Sequence, residues 1–111
     1  MKYVKSYNSQ FAIRESRIQN LKVGDYVICN EIHELKKITL FLNNNIGKIL
    51  IREENNKTNV VQYENIPADI YTYFSCCGYV NSRRIFDYEI IQCSKNKKDL
   101  EIYINQNKYN L

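Results

Sequence analysis

The chain has 111 residues, 44% of them hydrophobic and 25% charged, which suits one globular domain and argues against disorder along most of its length. No apolar run approaches the roughly 20 residues a membrane-spanning helix needs. Sixteen Lys and Arg against twelve Asp and Glu leave a net charge of +4, mild enough to allow a nucleic-acid partner without demanding one. Fifteen Asn and fifteen Ile stand beside three Gly, one Pro and no Trp. That bias is what AT-rich coding DNA produces, so Asn43–Asn45 is read as a loop and not as a functional tract.

Residues 1–20 form a lead-in with no clean period, extended or partly helical, in which Arg14 and Arg17 face solvent. The first ten residues lack the apolar stretch of a secretory signal, so a cytoplasmic location is expected. Leu21 and Val23 then precede a Gly24-Asp25 break and the β-rich run Tyr26–Cys29. Leu35, Ile38 and Leu42 recur at helical spacing, which predicts a short helix over about 33–44. Ile46–Arg52 and Val60–Tyr63 flank a polar, Asn-rich segment and read as an antiparallel hairpin. Pro67 ends the second strand. Tyr71, Tyr73, Phe74 and Tyr79 crowd around a Cys-Cys-Gly break, a short helical turn or an irregular loop. Ile85–Ile91 is the last expected strand. The closing helix has Ser94 or Asn96 as its cap, Asp99 in its first turn, and Leu100, Tyr103, Ile104 and Leu111 on one face.

Leu21-x-Val23-Gly24-Asp25-Tyr26-Val27 resembles the first strand of SH3-like small barrels, the group that includes Tudor and KOW-type domains. Ile46-Gly47-Lys48-Ile49 resembles the second strand and Val60-Val61-Gln62-Tyr63 the third. The resemblance covers about residues 21–66. It implies a mostly β (α+β) single domain over residues 1–111: the lead-in, a barrel over 21–93 with an inserted short helix, and a C-terminal helix over 94–111. The runner-up is a curved antiparallel sheet against that helix. The first connection is long for a KOW domain. The absence of Trp departs from the SH3 peptide groove, so proline-rich ligands are not expected. Val23, Val27, Ile49, Val61 and Ile90 are the expected core positions of the strands.

Chemistry is sparse. His33 lies between Glu31 and Glu34, but Lys37 stands where a zinc-hydrolase helix would place its second His. Glu53 and Glu54 are adjacent on a strand, so their carboxylates diverge. Neither a Gly-x-Ser-x-Gly elbow nor a phosphate loop is present. Cys29, Cys76, Cys77 and Cys93 have no chelating spacing, so reduced, metal-free thiols are expected. No enzyme and no cofactor is therefore expected. Binding fits better. Arg14, Arg17, Lys48, Arg52, Arg83 and Arg84 supply cations, and Tyr71, Tyr73, Phe74 and Tyr79 supply flat rings. Such a mixture suits a protein interface or single-stranded nucleic acid. The expectation is a small binding module for a protein or ribonucleoprotein partner. A phage or mobile-element inhibitor of a host defence complex, anti-CRISPR-like in type, is the alternative, and single-stranded nucleic-acid binding is the third reading.

Overall fold

Antiparallel pairing organises the chain. The computed structural model describes residues 20–109, with side chains as far as Gln106; Arg14, Arg17 and Leu111 lie outside the described residues. In chain order the elements are β1 (Tyr26–Cys29), α1 (Lys36–Asn44), β2 (Gly47–Glu53), β3 (Thr58–Gln62), a 3-10 turn (Tyr71–Tyr73), β4 (Ser75–Cys76), β5 (Tyr79–Val80), β6 (Ser82–Phe86), a second 3-10 turn (Asp87–Glu89), β7 (Ile90–Ser94) and α2 (Lys97–Tyr109). Five strands make one antiparallel sheet in the order β6-β3-β2-β1-β7, and β4 and β5 form a separate small hairpin. The fold is thus mostly β with two helices, in the α+β class. The expected barrel is not closed: β6 and β7 are the sheet's edges and do not pair with each other.

Strand side chains alternate between faces, and directly opposed residues share a face. Val61 faces Ile49 on β2 and Arg83 on β6, while Asn59 faces Arg52 and Ile85. These belong to the inner face, where Val27, Cys29, Ile49, Val61, Ile85 and Ile90 pack against Ile38, Phe41 and Leu42 of α1. A fully buried Ile such as Ile49 gains roughly 1.5–3 kcal/mol over its exposed state. With no Trp available, Phe41, Tyr63 and Phe74 fill the core edge to face, their ring centroids 5.4–5.8 Å apart. Gly47 makes room for them: a Cβ there would lie 2.3 Å from Val61 Cγ1 and 2.7 Å from Tyr63 Cζ.

The outer face carries a second, smaller apolar cluster. Ile28 packs there against Leu100 and Ile104 of α2, with Tyr26, Ile46, Ile91 and Tyr103 around them. The cap of α2 is Asn96, whose Oδ1 accepts the Lys98 N–H at 3.0 Å, while Ser94 Oγ accepts the Asn96 N–H and donates to Asp99. On the outer side of β3, Thr58 and Val60 are each only 3% exposed, and the β4–β5 hairpin packs beside β6 there.

Three expectations need correction. Val23 is 62% exposed, because it sits in the turn before Gly24 (φ +96°) and Leu21 takes the buried position instead. The helix begins at Lys36 rather than 33; His33 Nδ1 accepts the Leu35 N–H, and Thr39 Oγ1 accepts the His33 N–H and donates to the Glu31 carbonyl. The strand expected over 85–91 is broken by the Asp87–Glu89 turn. Ile85 and Ile90 are an odd number of residues apart, so one unbroken strand would send them to opposite faces. The turn lets both enter the same core.

Candidate functional site

The sheet's pleat divides the expected basic residues into two sets. Arg83, opposite Val61, points inward. Its Nε donates to Glu31 Oε1 at 2.9 Å, its Nη2 to Glu31 Oε2, and its Nη1 to the Tyr73 carbonyl at 2.8 Å. The guanidinium also lies 5.5 Å from the Phe74 ring centroid. Arg52 likewise points inward and is only 7% exposed. It donates to both carboxylate oxygens of Asp87, at 2.6 and 3.0 Å, and to Asn59 Oδ1 at 3.0 Å. Asn59 donates in turn to Asp87 and to the Ile85 carbonyl, so this network ties β2 and β3 to the corner after β6. Both guanidiniums are thus ion-paired within the chain, to Asp87 and to Glu31.

Lys48 and Arg84 point the other way. Lys48 faces Gln62, Arg84 faces Val60, and Phe86 faces Thr58, all on the outer side. Arg84 and Phe86 are exposed, and Tyr88 stacks on Phe86 with centroids 5.4 Å apart and planes 18° from parallel. The Lys48 ammonium lies 5.8 Å over the Tyr26 ring. Beyond it a groove of about 530 Å³ runs along α2, lined in part by Tyr26, Lys48, Gln62, Glu64, Lys97 and Glu101. The β4–β5 hairpin closes the other flank with exposed Tyr79 and Val80. Ser82 Oγ anchors this hairpin by donating to the Tyr79 carbonyl and accepting the Cys76 N–H, and Gln62 Nε2 donates to the Val80 carbonyl.

The remaining expected rings are placed elsewhere. Phe74 is buried in the core. Tyr71 and Tyr73 are exposed, but on the 3-10 turn beside α1, where Lys37 pairs with Asp69 and Tyr73 meets His33 edge to face at 5.7 Å. The eight expected residues that are described therefore do not form one face. Lys48, Tyr79 and Arg84 share the outer side; Tyr71 and Tyr73 do not join them.

The cysteines divide in the same way. None of the four is in a disulfide. Cys29 is fully buried, accepts the Tyr63 hydroxyl hydrogen at 3.3 Å, and has its thiol pushed up to about 12 by burial. Cys76 and Cys77 lie in the hairpin with sulfurs 3.2 Å apart, and Arg84 Nη2 donates to Cys77 Sγ at 3.4 Å. Among the described residues no three His, Cys, Asp or Glu side chains converge as a metal ion would require, and no helix is long and apolar enough to cross a membrane. No protein-family model matches the chain, and neither a curated protein nor a solved structure does.

Phe86, Tyr88 and Val80 were absent from the residues expected at a partner surface. Alternation carries the signal for Phe86: once Ile85 is assigned inward, its neighbours Arg84 and Phe86 must face out. Tyr88 had no such signal, because its place depends on the turn that breaks the strand.

Proposed function

We propose that the chain is a non-enzymatic binding module that engages a protein, alone or within a ribonucleoprotein, through the exposed side chains of β6, the turn after it and the β4–β5 hairpin. One observation carries this reading. Phe86 on β6, Tyr88 on the turn after it, and Tyr79 and Val80 on the β4–β5 hairpin are all exposed, as is Arg84. Aromatic residues and Arg are the enriched anchors of protein interfaces. The charge pattern favours a protein over a phosphate backbone. Lys48, Arg84 and Lys97 alternate with exposed Glu53, Glu64 and Glu101, which would repel closely spaced phosphates. We read the sheet as an opened SH3-like small barrel, in keeping with the resemblance over residues 21–66. The return of the last strand, β7, to pair with β1 supports this, since such a return wraps a sheet back on itself.

The test is affinity purification of the tagged chain from cells of its source, with and without nuclease. A protein that co-purifies with the parent chain should be retained after nuclease and lost with Arg84→Glu/Phe86→Ala. It should be retained by Lys36→Glu, which changes an exposed charge on α1. The identity of that protein then separates a housekeeping ribonucleoprotein from a host defence complex. Loss on nuclease treatment would move the assignment to nucleic acid. Retention by the outer-face variant would remove this face.

A further inference from the structure

The β4–β5 hairpin carries a second kind of chemistry. Its two-residue loop is Cys77-Gly78, and both residues have positive φ, 55° and 84°. A loop of this type favours Asn, Asp or Gly at its first position, since a side chain there is strained. Cys77 therefore occupies a place that turn formation alone would not assign to it. Its sulfur is exposed to solvent, 3.2 Å from Cys76 Sγ and 3.4 Å from the Arg84 guanidinium. A fixed cation and a second thiol thus meet at one accessible sulfur.

We propose that Cys76 and Cys77 form a reversible two-electron redox site that reacts with small hydroperoxides, with Cys77 as the attacking sulfur, Cys76 as the resolving one and Arg84 as the positioning cation.

The two sulfurs are chemically unequal. Cys77 is held below the ordinary thiol range by the hydrogen bond from Cys76 and then by that from Arg84. Cys76 is held above it, first by burial and then by its hydrogen bond to Cys77. Glu53 acts the other way and disfavours the Cys77 thiolate, while Arg84 favours it both by hydrogen bonding and by charge. The thiolate is the nucleophile in such chemistry, and exposure beside a cation marks a reactive cysteine.

In the first step Cys77 S⁻ attacks one oxygen of the hydroperoxide. The S–O bond forms, the O–O bond breaks, and the departing alkoxide leaves as an alcohol with a proton from solvent. Cys77 is then a sulfenic acid. In the second step Cys76 sulfur attacks Cys77 sulfur, the S–S bond forms, and hydroxide leaves as water with the proton of Cys76. Two thiols and one hydroperoxide thus give one disulfide, one alcohol and one water. Adjacent residues have Cα atoms about 3.8 Å apart, closer than the roughly 4.4–6.8 Å of ordinary disulfides. The product is therefore strained and readily reduced, as a reversible site requires. Its formation removes the thiolate beside Arg84 and makes the surface there more positive. The chemistry itself does not depend on the partner proposed above.

The test treats the full chain with a small excess of hydrogen peroxide and maps the products by peptide mass spectrometry. The expected product is an intramolecular loss of two hydrogens in the peptide holding Cys76 and Cys77, reversed by dithiothreitol. Cys76→Ser should yield a sulfenic acid at Cys77, trapped by dimedone, while Cys77→Ser should give no trapped product at Cys76 over the same time. Arg84→Gln, which leaves both thiols in place, should slow alkylation of Cys77 by iodoacetamide several-fold at pH 7, and circular dichroism should report the parent fold. First oxidation at Cys93, disulfides only between chains, or an Arg84→Gln variant alkylated at the parent rate would each overturn the site.

Discussion

Two consecutive arginines on one strand should differ in what they do for stability, and the difference follows from the pleat. Arg83 and Glu31 are each 14% exposed and joined by two hydrogen bonds, with a third to the Tyr73 carbonyl. Removing one partner of a buried pair costs about 3–5 kcal/mol, because the other charge is left unsolvated. Residual exposure lets water screen part of that, so Arg83→Ala is expected to cost roughly 2–4 kcal/mol. The loss includes the cation–π contact with Phe74, itself worth about 0.5–2 kcal/mol. Arg84 is exposed, and Arg84→Ala should change stability by no more than about 0.5 kcal/mol. Urea denaturation of both variants measures the contrast, with the slope checked for constancy so that midpoints report stability. A double-mutant cycle with Glu31→Gln should give a coupling of roughly 1–3 kcal/mol for Arg83 and none for Arg84. Equal losses at the two positions, or additivity of Arg83→Ala and Glu31→Gln, would refute the inward placement of Arg83.

Gly47→Ala should destabilise by about 1–3 kcal/mol in the same assay, because the added carbon meets Val61 and Tyr63 in the packed core; parent stability would mean those side chains yield freely. Alkali should weaken the fold. Burial raises the Cys29 thiol from 9.0 to about 12 and the Tyr63 phenol well above 10, so both hold their protons more tightly in the folded chain than in the unfolded one. Their contribution is therefore full below about pH 9 and is lost as pH rises toward 12. Tyr63→Phe keeps the ring and removes one of the two groups, so its stability should fall less steeply than the parent's across that range; identical curves would refute the assignment.

Much of the fold was legible because periodicity is local. Tyr26–Cys29, the 46–63 hairpin and the C-terminal helix follow from apolar spacing, and each is present within a few residues of its expected bounds. Val27, Ile49, Val61 and Ile90 are all fully buried as expected. What escaped depends on contacts far apart in sequence. The break at Asp87–Glu89 is held by Arg52 and Asn59, which lie 35 and 28 residues away. The exposure of Val23 depends on Leu21 filling the core first. The aromatic segment was the least legible stretch. Tyr71, Tyr73, Phe74 and Tyr79 look alike in sequence, yet Phe74 is core, two rings lie beside α1 and one reaches the outer face.

The site was half legible for a related reason. Counting cations in the sequence treats each one as free, whereas a folded chain spends some of them on its own carboxylates. Arg52 and Arg83 have Asp87 and Glu31 as partners, and those two carboxylates reach the inner side. Among the described residues Arg84 has no carboxylate hydrogen-bond partner; its neighbour is the Cys77 thiol, a group whose charge depends on pH and on oxidation state. Of the two exposed cations on the outer side, Lys48 and Arg84, it is Arg84 whose hydrogen-bonded neighbour can change charge by chemistry. On the two proposals made above, the charge state of Cys77 sets the net charge that the Cys77–Arg84 pair presents to a partner docked beside Phe86 and Tyr88.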